Sequence, residues 1–210
     1  IMGFTAELGA LRDQALAPAD PSVAVPTGAP SDEDTARQDF DEALGFIKSS
    51  IGRMDRLINA ILKLSRAGRR EFKRERVDLA ELFKSIADAM VHQADEAGAT
   101  IKIGQLPSVV SDRLALEQVF SNLLDNAIKY LRAGVEGRIS VTAEESSRRI
   151  SITVADNGRG IDSRDSERVF DLFRRAGVQD RPGEGIGLAY VRTLVRRIGG
   201  TIKLESTPGE

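Results

Sequence analysis

The sequence predicts an α+β protein, a helical hairpin followed by a two-layer α/β sandwich, on three observations. Phe40, Leu44, Ile47, Ile51, Met54, Ile58 and Ile61 recur at intervals of four and three without a break, the seam of a helix that packs against other helices. From Gly68 to Arg76 the chain is basic and poor in apolar residues, and beyond it the heptads stop. There, helical stripes such as Leu79, Leu82, Phe83, Ile86 and Met90 alternate with period-two runs such as Ile150, Ile152 and Val154. Mixed strands on one side and helices on the other make two layers.

The 210 residues hold one large domain or a medium and a small one, long enough to bury a core. Thirty basic against thirty-two acidic residues leave a net charge of −2, which excludes a nucleic-acid binder working through a broad basic surface. Without cysteine there are no disulfides and no thiolate chemistry. No apolar run approaches the ~18 residues of a membrane span, so no membrane contact is expected of this portion.

Ile1, Phe4, Leu8 and Leu11 read as a helix ending before Pro18. Pro18 to about Asp34 carries four prolines among Gly, Ser, Ala and acidic residues, the composition of a mobile loop. The second helix, from about Asp34 to Arg69, spans ~50 Å, whereas the first reaches only ~25 Å. Its partner is therefore expected to continue upstream of Ile1. Leu57, Leu62 and Leu64 widen the seam into a stripe that two helices leave largely in water, whereas a dimeric four-helix bundle buries it. The expected domains are a hairpin at 1–68, a linker at 69–76 and an α/β domain at 77–210.

In the α/β domain, Asp78 and Glu81 have the spacing of a variant capping box for a helix ending near Gly98. Ile101 and Ile103 predict a strand, Val109 and Val110 a second. Asp112 can cap a long helix through Tyr130. Strands are expected at Arg138–Glu144 and Arg149–Ala155, a helix at Leu188–Ile198 broken by Gly199-Gly200, and a last strand at Thr201–Glu205.

Four stretches carry chemistry. On the Leu116–Tyr130 helix, Val119, Leu123 and Ile128 face the core, while Asn122, Asn126 and Lys129 share a neighbouring stripe. Two amides and an ammonium one turn apart can hold a metal and the phosphates it neutralises; the alternative is a solvated face. Asp156-Asn157-Gly158-Arg159-Gly160-Ile161 puts a carboxylate at a strand end before a tight glycine turn. Phe170-Asp171-Leu172-Phe173-Arg174-Arg175 ends a short helix with a basic pair. Gly183, Gly185 and Gly187 then open a helix through Ile186 and Leu188, and their free N–H groups suit an anion.

These four elements, in this order, resemble the N, G1, F and G2 boxes of the sensor histidine kinases, a branch of the GHKL nucleotide-binding superfamily. The resemblance is strong from Leu116 to Gly187 and looser in the hairpin, where Arg53–Leu57 and Leu62–Arg66 look like phytochrome-type and other multi-domain sensor kinases. It implies the GHKL or Bergerat type of sandwich, with ATP and Mg²⁺ as ligands. Asp156 would accept from the adenine amino group, a choice of ATP over GTP, with Gly158, Gly160 and Ile161 shaping the turn. Asn126 would ligate Mg²⁺, assisted by Asn122. Lys129 would reach a phosphate. Tyr130 would lie against adenine or ribose, or serve core packing. Arg174 or Arg175, with Arg181 a further candidate, would neutralise the transferred phosphoryl. Gly183, Gly185, Ile186, Gly187 and Leu188 would receive the phosphates, and the segment from Phe173 to Gly183, punctuated by Gly177 and Pro182, would be a lid that orders around nucleotide.

The resemblance further implies a homodimer through the hairpin, an upstream sensor domain, a response regulator as partner in a phosphorelay and a cytoplasmic location for this portion. Two features depart from the family. The histidine box is absent; Ile1–Phe4 resembles the segment after it, which puts the accepting histidine about two turns before the chain starts. Ser206–Glu210 ends where the family continues into a final strand, so the sheet would lack an edge. The single histidine, His92, is followed by Gln93 and sits on a helix of the nucleotide domain, so it is not expected to accept phosphate.

Two alternatives are a hydrolytic GHKL ATPase and a non-catalytic dimeric phosphotransfer adaptor. The ATPases resemble this chain in their boxes but carry a general-base glutamate four residues before the metal-binding asparagine. Here Asn122 stands at that position, an amide without useful basicity, and Glu117 lies too far along the helix. An adaptor with a decayed site should have lost Asp156, Asn126 or the glycines, and all are present. ATP binding separates the adaptor, and phosphate release the ATPase, from a kinase.

Overall fold

The computed structural model describes residues 32–69, 71–147, 149–174 and 185–209, without side chains at 32–37, 56, 60, 63, 64 and 66–69. The first predicted helix, the loop expected at about 18–34 up to residue 31 and most of the expected lid lie outside the described residues, while residues 32–34 are already helical. The chain forms two compact units, Ile1–Asn59 and Ala60–Glu210.

The heptad pattern forms one helix, α1 (Asp32–Arg69). Of its seam, Leu44 is buried, whereas Ile47, Met54, Ile58 and Ile61 are exposed, Met54 at 59%. Phe46, off the seam, is exposed at 73%.

In the second unit come β1 (Glu75–Asp78), α2 (Leu79–Ala89), α3 (Val91–Glu96), β2 (Ala99–Ile103), β3 (Ser108–Ser111), α4 (Arg113–Lys129), β4 (Gly137–Ser146), β5 (Arg149–Asp156), a 3-10 turn (Arg168–Phe170) and α5 (Gly187–Arg197). β1 pairs antiparallel with β3, Val77 opposite Val109. The other sheet has the order β2-β4-β5, with β2 parallel and β5 antiparallel to β4. The crossover from β2 to β4 through β3 and α4 is long enough for parallel pairing.

One apolar core joins the layers. α2 contributes Leu79, Leu82, Phe83 and Ile86, α4 contributes Val119, Phe120 and Leu124, β4 contributes Ile139 and Val141, and α5 contributes Val191 and Leu194. The Phe83 and Phe120 rings lie 4.3 Å apart at 41°. Such a tilted pair adds ~0.5–1.5 kcal/mol to the burial of its surface. On α4 the buried stripe is Leu116, Val119, Phe120, Leu124, Ala127 and Ile128, while Leu123 is half-buried.

Three sequence expectations are corrected. The helix expected from Leu79 to Gly98 is two, because at Met90 the N–H bonds back only to the Ala87 carbonyl, a three-residue step that breaks the turn. The linker expected to Arg76 contains the start of β1; a strand of four needs one core position, and Val77, 1% exposed, fills it among charged neighbours. Thr201–Glu205 forms no strand among the described residues, although Ile202 and Leu204 alternate inward. Alternation fixes side-chain direction but makes no ladder, and the bonds just beyond this segment go to the 156–161 turn: the Ile161 N–H donates to Ser206 Oγ and the Gly209 N–H to the Arg159 carbonyl.

Candidate functional site

α4 is the frame of the site. Asp112, 2% exposed, caps it: Oδ1 accepts from the Ala115 N–H at 2.8 Å, and Oδ2 accepts from the Lys73 N–H at 2.8 Å. With its apolar stripe in the core, α4 presents Asn122, Asn126 and Lys129 half-buried on the adjoining face. Asn122 Nδ2 donates to the Gln118 carbonyl at 2.7 Å, which leaves Oδ1 as an acceptor. That oxygen faces the start of α5, where a Cβ built on Gly187 would lie 3.2 Å from Asn122 Oδ1 and 3.7 Å from Asn126 Nδ2. One turn earlier on α4, the Tyr190 hydroxyl of α5 donates to Gln118 Oε1 at 2.6 Å. Residues rising along α4 meet residues falling along α5, so the two helices run antiparallel and the N-terminus of α5 adjoins the asparagines.

The other end of α4 holds the turn after β5. Asp156 Oδ1 accepts from the Gly158 N–H at 2.9 Å, and the Arg159 N–H donates to the Tyr130 carbonyl at 3.0 Å. A Cβ on Gly158 would lie 2.5 Å from Asp156 Oδ1 and 2.7 Å from the Tyr130 oxygen, so only glycine lets this turn close on the helix end. Among the described residues, Asp156 Oδ2 takes no hydrogen bond, and the residue is exposed. The Tyr130 ring has the Arg159 guanidinium at 4.5 Å and the Lys129 ammonium at 5.3 Å from its centroid.

Around this turn, Asn157 Oδ1 accepts from the Arg138 N–H at 2.7 Å, and Asn157 Nδ2 donates to the Glu136 carbonyl at 2.9 Å. Arg132 Nε donates to the Asn157 carbonyl at 3.1 Å, and its guanidinium also reaches the Gly209 carbonyl. Gly160 has φ of 71° and is covered by Thr207 and Pro208. On the exposed loop beyond Ile161, hydrogen bonds from the Arg164 side chain and backbone hold the Asp162 carboxyl down at about 2.

The third part is the turn after the 3-10 helix. Phe173 has φ of 63°, unusual for a residue with a Cβ, and its N–H donates to the Gly185 carbonyl at 2.8 Å. Gly185 is itself at φ 68°, and a Cβ there would lie 2.9 Å from the Phe173 carbonyl carbon and the Arg174 oxygen. Arg192 on α5 donates to Asp171 Oδ1 at 3.3 Å and lies 5.7 Å from the Phe170 ring centroid.

Of the residues singled out in the sequence, Asn122, Asn126, Gly185, Ile186 and Gly187 come together where α4 meets α5. Lys129, Tyr130, Asp156, Gly158, Gly160 and Ile161 gather at the C-terminal end of α4. Ile186 is buried, Leu188 is half-buried, and Phe173 and Arg174 are exposed. Arg175, Arg181 and Gly183 lie outside the described residues. His92 is exposed on α3. Sequence reasoning missed Arg132, Asn157 and Arg192, which hold the loops through contacts to backbone and to a distant carboxylate, and no spacing announces such contacts.

Residues 111–210 match the model of the histidine kinase-, DNA gyrase B-, and HSP90-like ATPase family. The chain is 31% identical over 175 residues to phytochrome-like protein Cph1 of Synechocystis sp., covering 82% of this chain and 23% of that protein. It is 35% identical over 178 residues to histidine protein kinase DivJ of Caulobacter vibrioides, covering 81% of this chain and 29% of that one. The chain thus spans about a quarter of the length of these curated relatives. Among solved structures, full-length ShkA in complex with AMPPNP is 27% identical with a TM-score of 0.64, over 88% of this chain and 38% of that one. The C-terminal half of the chain, residues 111–210, thus belongs to the histidine kinase-, DNA gyrase B-, and HSP90-like ATPase family, and most of the chain's length is similar to histidine kinases such as DivJ.

Proposed function

We propose that the chain is the catalytic core of an ATP-dependent protein histidine kinase, which binds Mg·ATP and passes the γ-phosphoryl to a histidine on a dimerisation hairpin. The observation that carries this reading is the placement of Asn122 Oδ1 and the Asn126 amide against the opening residues of α5, on the same helix whose C-terminal end holds the Asp156 turn. One rigid helix thereby spaces a purine acceptor from a phosphate-facing helix N-terminus. ShkA, which is similar over most of this chain, was solved with AMPPNP, and that supports a nucleotide here.

Asp156 selects adenine through Oδ2 while Oδ1 keeps the turn closed; GTP presents a carbonyl at the same edge and is refused. The amide oxygens suit Mg²⁺, a hard cation that takes few protein ligands and completes its shell with phosphate and water. An ion held there by Asn122 and Asn126 would supply neutralising charge to the phosphates. Lys129 meets a phosphate, Tyr130 borders the nucleoside, and Arg174 or Arg175 stabilises the moving phosphoryl. Asn122 cannot activate water, because its Nδ2 is engaged with Gln118 and its oxygen is not basic, which favours transfer over hydrolysis.

The hairpin at 1–68 makes the homodimer through the exposed α1 seam, the linker spans 69–76 and the nucleotide domain is 77–210. No helix among the described residues is long and apolar enough to cross a membrane. This portion works in the cytoplasm with a response regulator and an upstream sensor domain. The acceptor belongs to the hairpin, and His92, on α3 in the other unit, does not serve. Incubation with γ-labelled ATP and a separately supplied hairpin bearing the histidine box should label that hairpin and not this chain. Stable label on this chain that disappears in His92→Ala would overturn the assignment.

A further inference from the structure

We infer that Arg192 is a positioning residue for the phosphate end of the site, an inference that rests on the ATP reading above. Arg192 touches no residue assigned to nucleotide. It holds the turn after the 3-10 helix by two contacts, 3.3 Å to Asp171 Oδ1 and 5.7 Å to the centroid of the buried Phe170 ring. That turn ends in Phe173, whose φ of 63° is a left-handed conformation strained for a residue with a Cβ.

A strained backbone persists only where its surroundings hold it. Here the Phe173 N–H bond to the Gly185 carbonyl and the Asp171–Arg192 pair do so. Gly185 lies two residues before Gly187, where an added Cβ would lie 3.2 Å from Asn122 Oδ1. Arg192 therefore ties its own helix to the turn that fixes that helix's first residues. Without it, the turn relaxes, Gly185 loses its anchor, and the backbone N–H groups at the start of α5 drift from the asparagines. The adenine end, held by Asp156, Gly158 and Tyr130, is independent of this tie.

The test is nucleotide titration of the full chain and of Arg192→Ala and Arg192→Lys, with Mg·ATP and with AMP, alongside thermal melting. Arg192→Ala should weaken ATP about fivefold, as loss of a part-exposed ion pair allows, and leave AMP within about twofold. Arg192→Lys, which keeps a cation for Asp171 and Phe170, should retain ATP affinity. Equal losses for ATP and AMP would make Arg192 merely structural and overturn the inference, as would an unchanged ATP affinity in Arg192→Ala. Failure of the unsubstituted chain to bind ATP would remove the kinase reading itself, a result distinct from a missing ATP–AMP split.

Discussion

Asn122 and Gly187 meet side chain to backbone: a Cβ at position 187 would sit 3.2 Å from Asn122 Oδ1, closer than ordinary van der Waals contact. Gly187 opens α5 without a positive φ, so its small size serves the approach of the carboxamide rather than the freedom of its backbone.

Gly187→Ala separates those two roles. Alanine favours a helix over glycine by ~0.5–1 kcal/mol, so melting should be unchanged or slightly raised. The added methyl must push the Asn122 amide aside, and Mg·ATP affinity should fall about tenfold, since ångström-scale misplacement of a positioning group is costly. Calorimetry and thermal melting on one preparation check both halves, and unchanged affinity would remove Asn122 from the site.

Asp112 is a structural counterpart. Asp112→Ala removes a helix cap worth ~0.5–2 kcal/mol and strands the Lys73 N–H at a cost of ~1–3 kcal/mol, so urea unfolding should show a loss of about 2 to 4 kcal/mol. Asp112→Asn keeps a good capping acceptor and should lose less. Nucleotide affinity of the folded protein should hold in both, because Asp112 caps the end of α4 away from Lys129.

Much of this was legible in the sequence, and the reasons differ by element. Long periodic stripes specified α1 and α4, the flanking glycines bounded α5, and Asp78 and Asp112 announced two helix starts through the chemistry of capping: Asp78 Oδ1 accepts from the Ala80 and Glu81 N–H groups. β1 was invisible because one buried valine among charges carries no period. The break at Met90 has no glycine or proline to mark it. Thr201–Glu205 read as a strand because alternation reports the environment of side chains, whereas a ladder depends on the partner's backbone. In the site, the fold brings together Asn122, Asn126 and Gly187, which the sequence singled out, while the contacts of Arg132, Asn157 and Arg192 reach across the fold and become visible only when distant segments are brought together.

A calorimetric titration with Mg·ATP and Mg·GTP, on the unsubstituted chain and on Asp156→Asn, decides whether Asp156 selects adenine as proposed. The amide can keep Gly158 bonded through its oxygen but must then turn its own N–H₂ toward the adenine amino group, leaving two donors face to face. The unsubstituted chain is expected to bind ATP and not GTP, and Asp156→Asn to lose ATP affinity by about tenfold to hundredfold with its melting little changed. Equal binding of ATP and GTP, or full ATP affinity in Asp156→Asn, would contradict it.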